Sequence, residues 1–159
     1  RRLRTAMPRS QSTSPQKMKM PPIATKREAG FYKQVKEAAQ RSKRKLLLTR
    51  IENYIGAGIP DLMICDEAGD FHPVELKYIT GNAVTLRPSQ VAWLSRHQHS
   101  SCWVLIKRQT KATEPSECLL YPAAAAVDLK MDGIEKVEPL FRCQQPFHWD
   151  TIFDLICPQ

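Results

Sequence analysis

Three ionisable side chains stand out by their spacing: Asp61 directly after Pro60, and Glu75 and Lys77 two apart in FHPVELKYI. Strand side chains alternate between faces, so Glu75 and Lys77 share one face while Val74, Leu76 and Tyr78 share the other. The apolar set accounts for burial on one side of a sheet. The charged pair then lies on the opposite side and needs a partner there. Asp61 opens the preceding strand, DLMICDE, and a turn through Gly69 and Asp70 folds it back toward Glu75, although sequence leaves the register open. Two carboxylates at one point repel and raise each other's pKa. A hard divalent cation relieves that repulsion, and Mg²⁺ takes oxygen ligands of this kind in phosphate chemistry. Such a cation polarises a phosphoryl oxygen and helps generate hydroxide from water. A neighbouring lysine can orient or deprotonate the attacking water, or stabilise charge developing on the phosphate. Taken singly, an exposed Glu-x-Lys is commonly a solvated pair and Pro-Asp is commonly a turn. Their joint occurrence across a turn is a much stronger signal.

The elements that must position these residues can be read on either side of them. Residues 1–25 are rich in Pro, Ser, Gln and Lys/Arg without periodicity, which predicts an extended or disordered basic arm. A helix is expected from about Lys26 to Arg44, with Phe31, Tyr32, Val35 and Ala39 recurring on one face. KLLLTRIENYI reads as a first strand leading into a loop at Gly56 and Gly58, DLMICDE as a second and FHPVELKYI as a third. Pro73 suits a sheet edge or the start of a strand. Pro88 marks the start of a helix over SQVAWLSRHQ, and CWVLIKR returns as a strongly apolar strand. ECLLY is a further short strand and PAAAAVDLK a further helix. Trp149, Ile152, Phe153 and Ile156 follow helical spacing, so a C-terminal helix is expected to dock on the body. The order predicts an α/β fold, a central mixed sheet flanked by helices. Trp93 and Trp103 read as core residues.

Length and charge set the outer bounds. A chain of 159 residues fits one domain with a real core, and no apolar run approaches the ~20 residues of a membrane-spanning helix. The acid-free, Arg/Ser-rich start RRLRTAMPRSQSTS superficially suits an organelle-targeting peptide but lacks an amphipathic helix. The five cysteines are scattered without zinc-site spacing, and the four histidines show none either, so a reduced, intracellular-type protein is expected. Residues 1–45 hold 14 Lys/Arg against Glu28 and Glu37, whereas residues 46–159 hold 10 against 14 acids. A basic arm ahead of a mildly acidic body suits a polyanion partner, most plausibly nucleic acid, or serves as a solubilising tail.

Pro60-Asp61, thirteen intervening residues and Glu75-Leu76-Lys77 resemble the signature of the PD-(D/E)XK nuclease superfamily. More narrowly, GAGIPDLMI, VELK, LRPSQVAWL and CWVLI, in that order, resemble the VRR-NUC type and phage-type Holliday-junction resolvases. The likeness covers about residues 26–110 and leaves 111–159 as a C-terminal extension. It implies a restriction-endonuclease-like core and Mg²⁺- or Mn²⁺-dependent hydrolysis of nucleic-acid phosphodiesters. Position by position, Asp61 and Glu75 match the metal-binding carboxylates, Lys77 the catalytic lysine, and Gln90 the glutamine that begins the following helix. The group often adds a glutamate from its first helix. Glu28 is chosen over Glu37 because it falls on the side of Tyr32 and Val35, although a first-turn acid also suits the helix dipole. Arg50 and Asn53, with Glu52 and Tyr54, are polar candidates at the site's edge, where the loop glycines could let a backbone approach DNA. Arg87 and the cluster Lys43, Arg44 and Lys45 are candidates for phosphate contact. The resemblance also implies DNA as partner, branched DNA as a plausible substrate and a possible homodimer. For a phage protein it implies the host cytoplasm or the particle as location. The competing expectation is a non-catalytic DNA-binding or structural component of a phage particle or packaging machine built on a nuclease-like fold.

Overall fold

The computed structural model describes residues 25–52 and 58–159. The basic arm and the loop positions Asn53, Tyr54 and Gly56 lie outside the described residues.

Helix α1, Lys26–Arg41, begins at Thr25, whose hydroxyl accepts the Glu28 N–H while the Glu28 carboxylate accepts the Thr25 N–H. This reciprocal cap satisfies two backbone donors that a helix start leaves over. Phe31, Val35, Ala38 and Ala39 are its buried stripe. The helix ends three residues before the expected Arg44. Strands β1 (Leu47–Arg50), β2 (Leu62–Cys65) and β3 (Phe71–Ile79) follow as an antiparallel meander. Helix α2, Pro88–Arg96, crosses over to β4, Trp103–Arg108, which pairs parallel to β3. A parallel neighbour requires such a crossover, and α2 supplies it. Then come β5 (Glu117–Pro122), a 3₁₀ turn at Ala123–Ala125, α3 (Ala126–Lys136), β6 (Phe141–Gln144) and α4 (Trp149–Ile156). The six strands form one sheet in sequence order, and the strands after residue 110 extend it antiparallel from β4. The expected α/β class, a mixed sheet flanked by helices, is the observed one. Pro73 is not on an edge strand; it is the third residue of β3, one place ahead of the first β3–β4 pair at Val74 and Trp103.

The alternation of strand side chains divides the core in two. Leu62, Ile64, Val74, Leu76, Leu105 and Leu120 meet α1 and α4 on one side. Ile79, Val104, Ile106, Leu119 and Tyr121 meet α2 and α3 on the other. On that second side β1 and the start of β3 are left uncovered, where Leu47 and Phe71 are 71% and 65% exposed. At ~1.5–3 kcal/mol for each large side chain fully buried, the two layers supply most of the driving force.

Helix α4 is tied down by two polar networks. Asp66 and His72 are buried, with His72 Nε2 2.9 Å from Asp66 Oδ2 and Nδ1 2.7 Å from Ser101 Oγ. Ser101 Oγ and Trp103 Nε1 both donate to the Ile156 carbonyl. The Arg44 guanidinium forms the second network. It donates to both Glu67 carboxylate oxygens at 3.0 Å and to the carbonyls of Cys157 and Phe153. Both carbonyls lie at the end of α4, where the Phe153 carbonyl also accepts the Cys157 N–H at 2.9 Å.

Candidate active site

The β2–β3 register fixes what sequence left open. Leu62 pairs with Val74, so the next rung outward sets Asp61 opposite Glu75. Asp61 is anchored by its backbone, whose carbonyl accepts the Ile51 N–H at 2.8 Å. Its carboxylate Oδ2 accepts the Leu76 N–H at 3.2 Å, which aims the side chain along β3 rather than into solvent. Glu75 is fully buried. Its Oε1 accepts from the Lys77 ammonium at 2.9 Å and from the Gln90 side-chain amide. Its Oε2 is buried without any hydrogen-bond partner. Lys77 is on the same face two residues on, its side chain only 13% exposed.

Gln90 is the third residue of α2, and its amide is committed at both ends. Nε2 donates to Glu75, while Oε1 accepts the Arg87 N–H at 2.9 Å and lies 3.5 Å from Lys77 Nζ. The structure thus brings Gln90 together with Glu75 and Lys77. Its role here is to grip the carboxylate and the ammonium together.

Electrostatics follow from this burial. Glu75 is pushed up to about 8, first by burial and then by the Asp61 charge, with Lys77 pulling the other way. Asp61 is raised as well, again by burial first, offset by Lys77 and by the Leu76 N–H. A proton on Glu75 gives Asp61 a hydrogen-bond donor in place of a like charge. The pair thus holds two oxygen-bearing groups that cannot both ionise cheaply, and with both charged Glu75 Oε2 has no donor. That is the condition a hard cation relieves. The donor set fits Mg²⁺ or Mn²⁺, because such ions keep several waters and use one or two carboxylates rather than a closed protein cage.

Glu28 joins the cluster only at a distance. Its charge raises both Asp61 and Glu75, which places it nearby. One of its carboxylate oxygens, however, accepts the Thr25 N–H at 3.2 Å. Among the described residues no three His, Cys, Asp or Glu side chains converge as a ready metal cage. The expected third ligand is a helix cap in this structure, and the assembled set is Asp61, Glu75, Lys77 and Gln90.

The basic candidates separate. Arg44 is a correction: its side chain is 11% exposed and fully engaged at the end of α4, so it is a structural tie rather than a phosphate contact. Lys43 and Lys45 are exposed, but the link they occupy leads to the end of β1 that pairs with Cys65. That is four residues along β2 from Asp61, or ~13 Å. Arg50 lies at the Asp61 end, exposed, its guanidinium 5.1 Å over the Tyr32 ring. Arg87 is half-buried at the start of α2, where its backbone N–H holds Gln90. Asn53 lies outside the described residues. Gly58 is not an open approach for DNA: it is buried and lies against the first turn of α2. Trp93 and Trp103 pack against the two cores as expected.

No family model matches the chain, and no curated protein matches it in sequence. A solved structure of Archaeoglobus fulgidus Hjc, a Holliday junction resolvase from an archaeal hyperthermophile, is similar with a TM-score of 0.39 and 13% identity. The match covers 79% of this chain and 98% of that one. A likeness of this size is too slight to assign a family or an activity.

Proposed function

We propose that this chain is a divalent-metal-dependent endonuclease of the PD-(D/E)XK kind, hydrolysing phosphodiester bonds in DNA. One observation carries the reading: Glu75 is a buried carboxylate with an unpartnered oxygen, set opposite Asp61 and bonded to Lys77. A core strand has no use for that arrangement, because a buried group with an unmet oxygen costs about 1–3 kcal/mol and a buried ionised one more. A cation-binding centre has a use for it.

Asp61 and Glu75 would hold the metal, while one Glu28 oxygen caps Thr25. When bound, Mg²⁺ or Mn²⁺ supplies Lewis acidity toward phosphoryl oxygens and lowers the pKa of water. The chain's own groups do the rest. Asp61 is kept in place by the Leu76 N–H on one carboxylate oxygen, which leaves the other for a ligand. Lys77 is held by Glu75 and Gln90 in one place, so its ammonium meets charge developing on a phosphate without reorganising. Gln90 carries no charge and fixes both neighbours through one rigid amide. Exposed Arg50, at the same end of the sheet, and the basic arm supply phosphate contacts that position without reading sequence. Branched DNA is the finer expectation for the substrate, and a homodimer for the assembly.

A second reading, DNA binding without cleavage, draws on one observation: among the described residues no third carboxylate converges on Asp61 and Glu75. Incubating plasmid and four-way-junction DNA with the protein and Mg²⁺ separates the two. Cleavage that disappears in Asp61→Ala and Lys77→Ala supports the enzyme, whereas tight binding with no cutting in the wild type supports the second reading.

A further inference from the structure

Gly58 stands three residues ahead of Asp61, is buried, and has φ +71. A Cβ built there would overlap the Ser89 carbonyl and come within 2.7 Å of Gln90 N. The chain entering β2 therefore lies directly on the first turn of α2. Both the close approach and the positive φ require a residue without a side chain. Ser89 and Gln90 are the second and third residues of that helix. Gln90 is the residue whose amide joins Glu75 to Lys77. The contact thus joins the segment that delivers Asp61 to the helix turn that delivers Gln90.

We infer that Gly58 is a positioning residue for the cluster. By seating the approach to β2 on α2, it fixes where the Gln90 amide stands relative to Asp61, Glu75 and Lys77. Its kinetic consequence rests on the hydrolytic reading above, but its geometric consequence does not. An alanine here must push the first turn of α2 away from β2. A displacement near 1 Å is enough to cost ~100-fold in rate at a preorganised site.

The structure provides a matched control. Gly133, in α3, has φ +69, and a Cβ there would overlap the Asn82 carbonyl oxygen. Its closest neighbours are Asn82 and Ala83, none of them in the cluster. Gly133→Ala and Gly58→Ala therefore impose the same kind of backbone insult in two places.

The test reads the Gln90 side-chain amide by ¹H–¹⁵N NMR and the exchange of the Arg87 N–H, which donates to Gln90 Oε1. In wild type and Gly133→Ala, the Gln90 amide should give resolved, slowly exchanging signals and Arg87 should be protected. In Gly58→Ala, protection at both should fall at least ~100-fold, and single-turnover cleavage with Mg²⁺ by a similar factor, with DNA affinity unchanged. Gly58→Asn tolerates the positive φ but keeps the Cβ, and should behave as alanine does. Wild-type behaviour in Gly58→Ala or Gly58→Asn overturns the inference, as does an equal loss in Gly133→Ala. Should neither Gly58 variant fold, Arg87 exchange in the wild type decides. Exchange through global unfolding alone supports the lock, and a local opening at least ~100-fold more frequent refutes it. A wild type that cleaves nothing would sink the nuclease reading while the exchange measurements still judge Gly58.

Discussion

Replacing Glu75 by glutamine should stabilise the metal-free protein at alkaline pH, against the usual result of deleting a buried ion-pair partner. The folded carboxyl is raised from 4.5 to about 8, chiefly by burial and by Asp61. Below pH 4.5 the group is neutral in both folded and unfolded chains, so Glu75→Gln is close to an isosteric swap. Between 4.5 and about 8 the folded state keeps a proton that the unfolded state has released. Stability therefore falls as pH rises, by about 1.4 kcal/mol for each unit. Across the window the loss is on the order of 4–5 kcal/mol, a deficit the glutamine variant does not share. Asp61, also raised, adds loss of the same sign. It titrates in both proteins and largely cancels in the difference. Urea denaturation of both proteins in chelator at pH 5.5 and 8.5 measures the effect. Glu75→Gln should gain several kcal/mol on wild type between those two values. A variant that instead loses ground as pH rises would mean Glu75 is an ordinary stabilising partner of Lys77, and the argument for a cation site would fail with it.

Other consequences follow from the same coordinates. Mg²⁺ or Mn²⁺ should raise the wild-type melting temperature more at pH 8.5 than at pH 6, because the cation competes with the Glu75 proton, and Asp61→Asn should abolish the gain in a thermal scan. Arg44→Ala should cost roughly 2–4 kcal/mol in urea denaturation by releasing Glu67 and the α4 carbonyls. The same variant should leave DNA affinity and its salt slope unchanged, whereas Arg50→Ala should reduce that slope by about one. His72→Ala should cost about 1–3 kcal/mol by leaving the buried Asp66 Oδ2 without a partner, with hydrogen exchange accelerated first at α4.

The sequence made the pairing of faces legible because strand alternation is local. Val74 and Leu76 on one side, Glu75 and Lys77 on the other, needed only the period of two. What brought Asp61 opposite Glu75 was the length of the turn, and a one-residue slip would have turned every side chain over. Glu28 carried a signal that was open to two interpretations. Thr25-Lys26-Arg27-Glu28 has the spacing of a reciprocal helix cap, and its backbone demand is met before any ligand's. Arg44 could not be assigned from its neighbours, since its partners at Phe153 and Cys157 are more than a hundred residues away in the chain. The basic run around it looked uniform only because sequence does not show which of three adjacent cations faces inward. Gly58 was visible as a loop glycine, but which surface it touches depended on where α2 packs.

Single-turnover cleavage of one DNA substrate at pH 8.5 in Mg²⁺, by wild type and Glu75→Gln side by side, bears on the centre most directly. The variant is expected to be at least as stable as wild type before metal is added, yet slower by a factor of ~1,000 or more. Equal rates, from a protein that still folds, would show that the buried carboxylate takes no part in breaking the phosphodiester.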